Sequence, residues 1–206
     1  PLKLLRALHD ALARAGGEYL PNHGVTAIRP QARGFVVEAG GRTLSCDKIV
    51  IAAGLGSRAL APMVGLAMPV NPLRGQIIVT ERMKPFMDYT THVIRQTEEG
   101  GVMMGDSHEE VGFDRGTLVP VVRDIAARNL QVFPHLRDAN VARVWGALRV
   151  MTPDGFPIYQ QSEQHPGAFA ATCHSGVTLA GAHALALAPA ILAGALPPAL
   201  DAFSAE

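Results

Sequence analysis

The chain has 206 residues, enough for one large domain or two small ones around a real hydrophobic core. It is 48% hydrophobic and 17% charged, a globular profile that excludes a disordered segment. Its 18 basic residues balance 18 acidic ones, so the charge footprint of a nucleic-acid binder is missing.

Cys46 and Cys173 are too few for a disulfide framework and form no CxxC pair, which leads us to expect a cytoplasmic protein. The most apolar stretch, Val177 to Leu196, is broken by Gly181, His183, Pro189 and Gly194 and reads as a buried helix rather than a membrane span. No signal-peptide pattern is visible, and a first residue that is not Met suggests a piece of a longer chain.

In chain order, Leu4, Leu5, Leu8 and Leu12 have helical spacing over Leu2 to Ala15, and Gly16-Gly17 ends that helix. Short strands follow at Gly24–Arg29, Phe35–Glu38 and Thr43–Cys46, with Gly40-Gly41 as a hairpin turn. Lys48–Ala53 is a continuous apolar run before Gly54, the pattern of a strand buried on both faces. A short helix is expected near Ser57–Val64. The next stretch is β-rich, with strands at Gly75–Thr80, Thr91–Gln96 and Gly101–Gly105 and a hairpin tip at Glu98–Gly101. Thr117–Phe133 carries a helical pattern, Asn140–Val150 and Phe169–Thr172 read as strands, and Val177–Leu192 as a closing helix. The expected fold class is α/β (α+β), with the middle of the chain as a mainly antiparallel layer inserted into an α/β unit.

Two features carry chemistry. Arg149 ends the apolar strand of W-G-A-L-R-V, and a planar guanidinium there suits a carboxylate held by two oxygens. Gly176, in T-C-H-S-G-V-T, opens the last helix and would let a cofactor approach free backbone amides. Together they suggest a flavin or nucleotide site beside a small acidic substrate.

Four segments in this order resemble the C-terminal portion of the FAD-dependent D-amino-acid oxidase / glycine oxidase (DAO) family, and within it the bacterial D-hydroxyproline and opine dehydrogenase-type subunits. They are D-K-I-V-I-A-A-G (Asp47–Gly54), P-L-R-G-Q (Pro72–Gln76), W-G-A-L-R-V-M-T-P-D-G-F-P (Trp145–Pro157) and T-C-H-S-G-V-T (Thr172–Thr178). The resemblance covers essentially the whole chain. It implies a partial FAD-binding domain at residues 1–70 and 149–206, and a substrate-binding domain at 71–148. The family's N-terminal strand–GxGxxG–helix unit, which cradles the FAD pyrophosphate, is not among these residues. Gly54-Leu55-Gly56 followed by Ala59 imitates that motif, but Pro62 and Gly65 cut the helix after it short.

The resemblance implies roles. Arg149 would pair with the substrate carboxylate, and His92 would face the substrate from its strand. Val25, Ala52, Ala53 and Gly54 would meet the FAD through the backbone, and His174, Ser175, Gly176, Val177 and Thr178 would line the flavin ring. The implied reaction is oxidation of an amino or imino acid (a D-amino acid, a glycine-like acid, hydroxyproline or an opine) by hydride transfer from Cα to flavin. The alternative is a truncated, non-catalytic domain that folds without FAD and serves at most as a binding or assembly module. Either a partner subunit or self-association is compatible with the chain.

Weaker candidates are read as structural. Ser107-His108-Glu109-Glu110 lacks the spacing of a metal site and is expected to be a solvated turn. Cys173 and His174 are adjacent, so in a strand they would point to opposite faces. Ser175 has no GxSxG setting for hydrolase chemistry.

Overall fold

The structure is a computed structural model that describes residues 2–205. Helix α1 (Leu2–Arg14) leads into an antiparallel meander of β1 (Val25–Pro30), β2 (Phe35–Ala39) and β3 (Arg42–Cys46). A second sheet, in the order β4-β10-β9, joins β4 (Ile49–Ile51), β9 (Ile158–Gln161) and β10 (Ala168–Thr172). Here β4 and β10 run parallel, with Ala170 opposite Ile51, and β9 runs antiparallel to β10. The third sheet, in the order β6-β7-β5-β8, is wholly antiparallel. It consists of β5 (Asn71–Arg82), β6 (Ile94–Gln96), β7 (Gly101–Met104) and β8 (Val141–Met151).

Two apolar cores follow from these layers. Ile28 and Phe35 of the meander pack with Ile51, Met68, Ile158 and Ala170, binding the first two sheets together. Ile78, Ile94, Val102 and Met104 pack with Ile125 and Leu136 to form the second core. Ile125 lies on α3 (Val119–Val132), which therefore covers one face of the third sheet. Because side chains alternate across a strand, Arg74, Gln76, Ile78 and Thr80 face α3 while Leu73, Gly75, Ile77 and Val79 face away.

The closing helix differs from its expected uniform form. After a turn, it runs as α4 (Ala180–Ala182), a π segment (His183–Leu187) and α5 (Ala188–Ala193). Pro189 has no N–H to give to the Leu185 carbonyl, so the regular i→i−4 ladder cannot pass through it. The chain widens instead, and the Ala188 amide donates to the His183 carbonyl. The Tyr159 hydroxyl and His183 Nε2, 2.7 Å apart, tie this helix to β9. Burial pushes the Tyr159 phenol above its ordinary pKa, with a smaller contribution from nearby Cys173.

Several large apolar side chains lie open to solvent. Leu4, Leu5, Leu8 and Leu12 of α1 are exposed, as are Val50, Leu185 and Leu192. The apolar stripe on α1 is real, but no residue of that helix is buried. No helix among the described residues is long and apolar enough to cross a membrane.

Candidate functional site

The motif P-L-R-G-Q is a piece of strand in which successive residues serve opposite faces. Arg74 and Gln76, both fully buried, point toward the loop that follows β7. Arg74 donates to Glu109 Oε2 at 2.7 Å and to Asp114 Oδ2 at 2.5 Å. The Gln76 side-chain amide donates to both Glu109 oxygens at 2.9 Å, and its carbonyl accepts the Leu118 amide at 3.0 Å. Ser107 Oγ accepts the Gln76 amide at 2.9 Å and donates to Glu109 Oε1 at 2.7 Å. Arg74 and Glu109 also exchange two main-chain hydrogen bonds, both 3.0 Å. The loop is thus sewn onto β5 by one buried arginine and one buried amide.

This overturns the expectation of a solvated turn at Ser107–Glu110. The bridge to Arg74 gives the segment strand-like alternation, so Ser107 and Glu109 turn inward while His108 and Glu110 stay exposed. Burial alone would raise the Glu109 pKa, yet hydrogen bonds from Arg74, Gln76 and Ser107 hold it below the ordinary glutamate value. The Gly116 amide does most to lower Asp114; burial opposes it, and Arg74 adds to the lowering. No cluster of His, Cys, Asp and Glu among the described residues could hold a metal.

Arg149 stands on the opposite face of the same sheet, pairing with Leu73 in the β5–β8 ladder. Its guanidinium lies over Gly75, where a Cβ would come within 2.4 Å of Nη1. Nη1 donates to the Ser107 carbonyl at 2.8 Å, and Nη2 is 3.5 Å from Asp106 Oδ2. Asp106 Oδ2 also lies 3.6 Å from His108 Nε2. Ala147, across from Gly75, and Trp145 share the Arg149 face, and the Arg143 guanidinium sits 5.4 Å from the Trp145 ring centroid. An arginine held at one edge, with small residues beside it, can still present donors to an arriving carboxylate.

The second group of expected residues gathers at the carboxyl ends of the parallel strands β4 and β10. Ala52 and Ala53 are exposed, and Gly54 has φ 57°. Ser57 Oγ accepts the Ala53 amide at 3.1 Å. A Cβ on Gly54 would stand 3.4 Å from Val150 Cγ2, so this strand end packs beside the residue after Arg149. After β10, His174–Thr178 form an exposed turn in which the Ser175 carbonyl accepts the Leu179 amide. The amides of Gly176, Val177 and Thr178 find no hydrogen-bond acceptor among the described residues. In an open α/β sheet, the carboxyl ends of parallel strands are where ligands bind, and free amides there suit an electron-rich ring edge. These residues fit a flavin. The imitation motif at Gly54 does not build a phosphate loop, since only a 3-10 turn and the four-residue α2 (Ser57–Leu60) follow it.

Two expected residues sit apart. His92 is exposed on a bend before β6, not on the strand expected for it, because the strand starts only at Ile94. It remains near the Arg149 edge, since neighbouring Val93 accepts the Gly105 amide at 2.7 Å. Val25 opens β1 in the separate meander and is 38% exposed. Asp106 was not singled out from sequence, and no role was expected for Arg74 and Gln76 beyond their place in P-L-R-G-Q or for Ser107 and Glu109 beyond a solvated turn. The one local signal for Arg74 and Gln76 was the alternation of large polar residues around Gly75.

A model of the family described as FAD dependent oxidoreductase, DAO, matches residues 1–190. An opine oxidase subunit of Agrobacterium tumefaciens (strain Ach5) is 45% identical over 205 residues, covering 100% of this chain and 55% of the relative. Glycine oxidase of Pseudomonas putida is 28% identical over 188 residues, covering 87% of this chain and 52% of the relative. The crystal structure of glycine oxidase from Geobacillus kaustophilus superposes with a TM-score of 0.84 at 24% identity, covering 95% of this chain and 55% of that one. L-proline dehydrogenase from P. horikoshii also gives a TM-score of 0.84, at 17% identity, over 94% of this chain and 55% of its own. The chain spans about half the length of the curated relatives it matches.

Proposed function

The chain belongs to the DAO family of FAD-dependent oxidoreductases, and from that premise we propose that it forms the substrate sheet and part of the cofactor domain of an amino- or imino-acid oxidase or dehydrogenase. The division of labour follows the sheets. The antiparallel sheet carries the substrate, and the parallel pair with its exposed turns meets the flavin. Relatives are named for an opine, glycine and sarcosine, all of which place a nitrogen beside a carboxylate, and a substrate of that type is the one we assign. The chain by itself is expected to be inactive.

Arg149 supports this reading most directly. Its guanidinium, set by the Ser107 carbonyl, faces away from α3 beside the small residues Gly75 and Ala147. A carboxylate gripped there by two hydrogen bonds has its Cα held in one orientation, which C–H cleavage needs. The flavin, when bound, supplies the hydride acceptor. Ala52–Gly54 and His174–Thr178 present backbone to it, and the free amides of Gly176, Val177 and Thr178 would hold electron density on the ring edge facing them. Val25 and His92 are assigned outer positions, toward the adenine and the substrate side chain respectively. Because several relatives are named as subunits, a partner subunit belongs to the same proposal.

The test is Arg149→Ala in the full-length flavoprotein. Loss of one partner of a desolvated charge pair costs about 2–5 kcal/mol, so kcat/KM for amino-carboxylate substrates should fall by about 30-fold or more. The visible flavin absorbance should be unchanged. Normal kinetics would remove Arg149 from the substrate site and with it the basis of the proposal.

A further inference from the structure

Asp106 is held by its backbone and left free at its carboxylate. The Gly105 amide before it donates to the Val93 carbonyl, the Ser107 carbonyl after it accepts from Arg149, and Arg128 of α3 donates to the Asp106 carbonyl. Its side chain is 26% exposed, and its carboxylate Oδ2 lies 3.5 Å from Arg149 Nη2 and 3.6 Å from His108 Nε2. Those spacings lie at or beyond the limit of a hydrogen bond, whereas Arg149 and the Ser107 carbonyl meet at 2.8 Å. Arg149 is therefore positioned chiefly by a peptide oxygen, and the carboxylate beside it keeps unused acceptor capacity.

We propose that Asp106 receives the positively charged amino or imino nitrogen of the substrate whose carboxylate Arg149 takes. This rests on the carboxylate role assigned to Arg149 above. In an amino acid, nitrogen and carboxylate are both attached to Cα, so the zwitterion can lie antiparallel to the Arg149–Asp106 pair. Every unlike charge is then adjacent, and no like charges are forced together. A simple carboxylate gains less at such a site. It meets a cation whose charge is already balanced by Asp106, and it brings nothing for Asp106 to bind. The pair thus selects an amine-bearing acid over an uncharged analogue of the same shape, which makes Asp106 a specificity-determining residue.

The matched probes are N-methylglycine and methoxyacetate, which differ by a cationic NH2 against an ether oxygen. Calorimetric binding to full-length protein at pH 7 should show wild type preferring N-methylglycine. In Asp106→Asn, N-methylglycine should weaken by about 10- to 100-fold, the range of one charge-assisted hydrogen bond. Methoxyacetate should bind as well or better, since Arg149 loses a competing anion. Asp106→Ala, with its melting temperature checked, should reproduce this pattern. An equal loss of both probes would reduce Asp106 to a support for Arg149 and overturn the inference, as would no change in either. If wild type binds neither probe, or Arg149→Ala binds both normally, the assignment of Arg149 fails first and carries this inference with it.

Discussion

Arg149 lies over Gly75 so closely that a single added methyl would stand 2.4 Å from Nη1 and 2.6 Å from Nη2. Glycine at this point of β5 is therefore a floor for the guanidinium rather than a flexible joint. In Gly75→Ala the far end of Arg149 must move while the backbone stays in place. A displacement of about 1 Å can cost up to about 100-fold in rate, so kcat/KM should fall by about 10- to 100-fold. The melting temperature should change little, because the clash is relieved by a flexible side-chain end. Unimpaired kinetics in Gly75→Ala would show that the position of the guanidinium is not critical.

Arg74 makes the opposite prediction, a change in stability. It is the fully buried centre of a network that includes Glu109, Asp114 and Gln76. Arg74→Met leaves Glu109 without its cation, and breaking such a pair costs about 3–5 kcal/mol. Adding Glu109→Gln should recover part of that loss, since the stranded charge is gone. Urea titration of the single and double variants checks this. A double variant less stable than Arg74→Met would contradict it.

Glu109 and Asp114 also set a pH dependence. Both are held below their ordinary values in the fold, so they stabilise the protein above the unfolded carboxylate range of about 3.9 to 4.3. As pH falls through that range the unfolded chain takes up protons while the folded one resists, and the stabilisation is lost on the way down to the folded values. The melting temperature should therefore drop on acidification below about pH 4.5. Glu109→Gln should flatten that drop. Glu99, lowered to about 2 by its hydrogen bond to Lys3, is an exposed partner, and salt should screen it away. An unaltered acid profile in Glu109→Gln would remove the network from this account.

Leu4, Leu8 and Leu12 on α1, with Leu185 and Leu192 on the closing helix, leave apolar surface open. Strand β4 is moreover an edge of its sheet, and Val50 on it is 41% exposed. Such surface and such an edge favour association. Residues 1–206 expressed alone should self-associate at micromolar concentration, and Leu4→Glu with Leu8→Glu should reduce it. Sedimentation velocity decides the matter, and a monomer across that range would refute it.

Much of the fold was legible because its signals are local. The leucine spacing of α1, the Gly40-Gly41 hairpin and the apolar run into Gly54 each mark an element within a few residues. The closing helix was legible as a helix but not as a π-widened one, since that depends on how the ladder adapts before Pro189. Of the site, Arg149 and the Thr172–Thr178 turn stood out through their motifs. His92 was expected on a strand that starts two residues later, because strand ends are set by pairing with β7 rather than by propensity.

The sequence by itself determined the element types, the mixed α/β class and the four motif segments that resemble a flavoprotein family. All of these rest on periodicity and on short runs of residues. Only the tertiary structure decided that Arg74 and Arg149, each set in one of the motif segments, have opposite fates. Register in β5 and β8 turns one inward to Glu109 and Asp114 and leaves the other over Gly75 beside Asp106. The physical reason is that a strand's alternation fixes two faces but does not say which is covered. Here α3 and the loop from Asp106 to Leu118, arriving from elsewhere in the chain, made that choice.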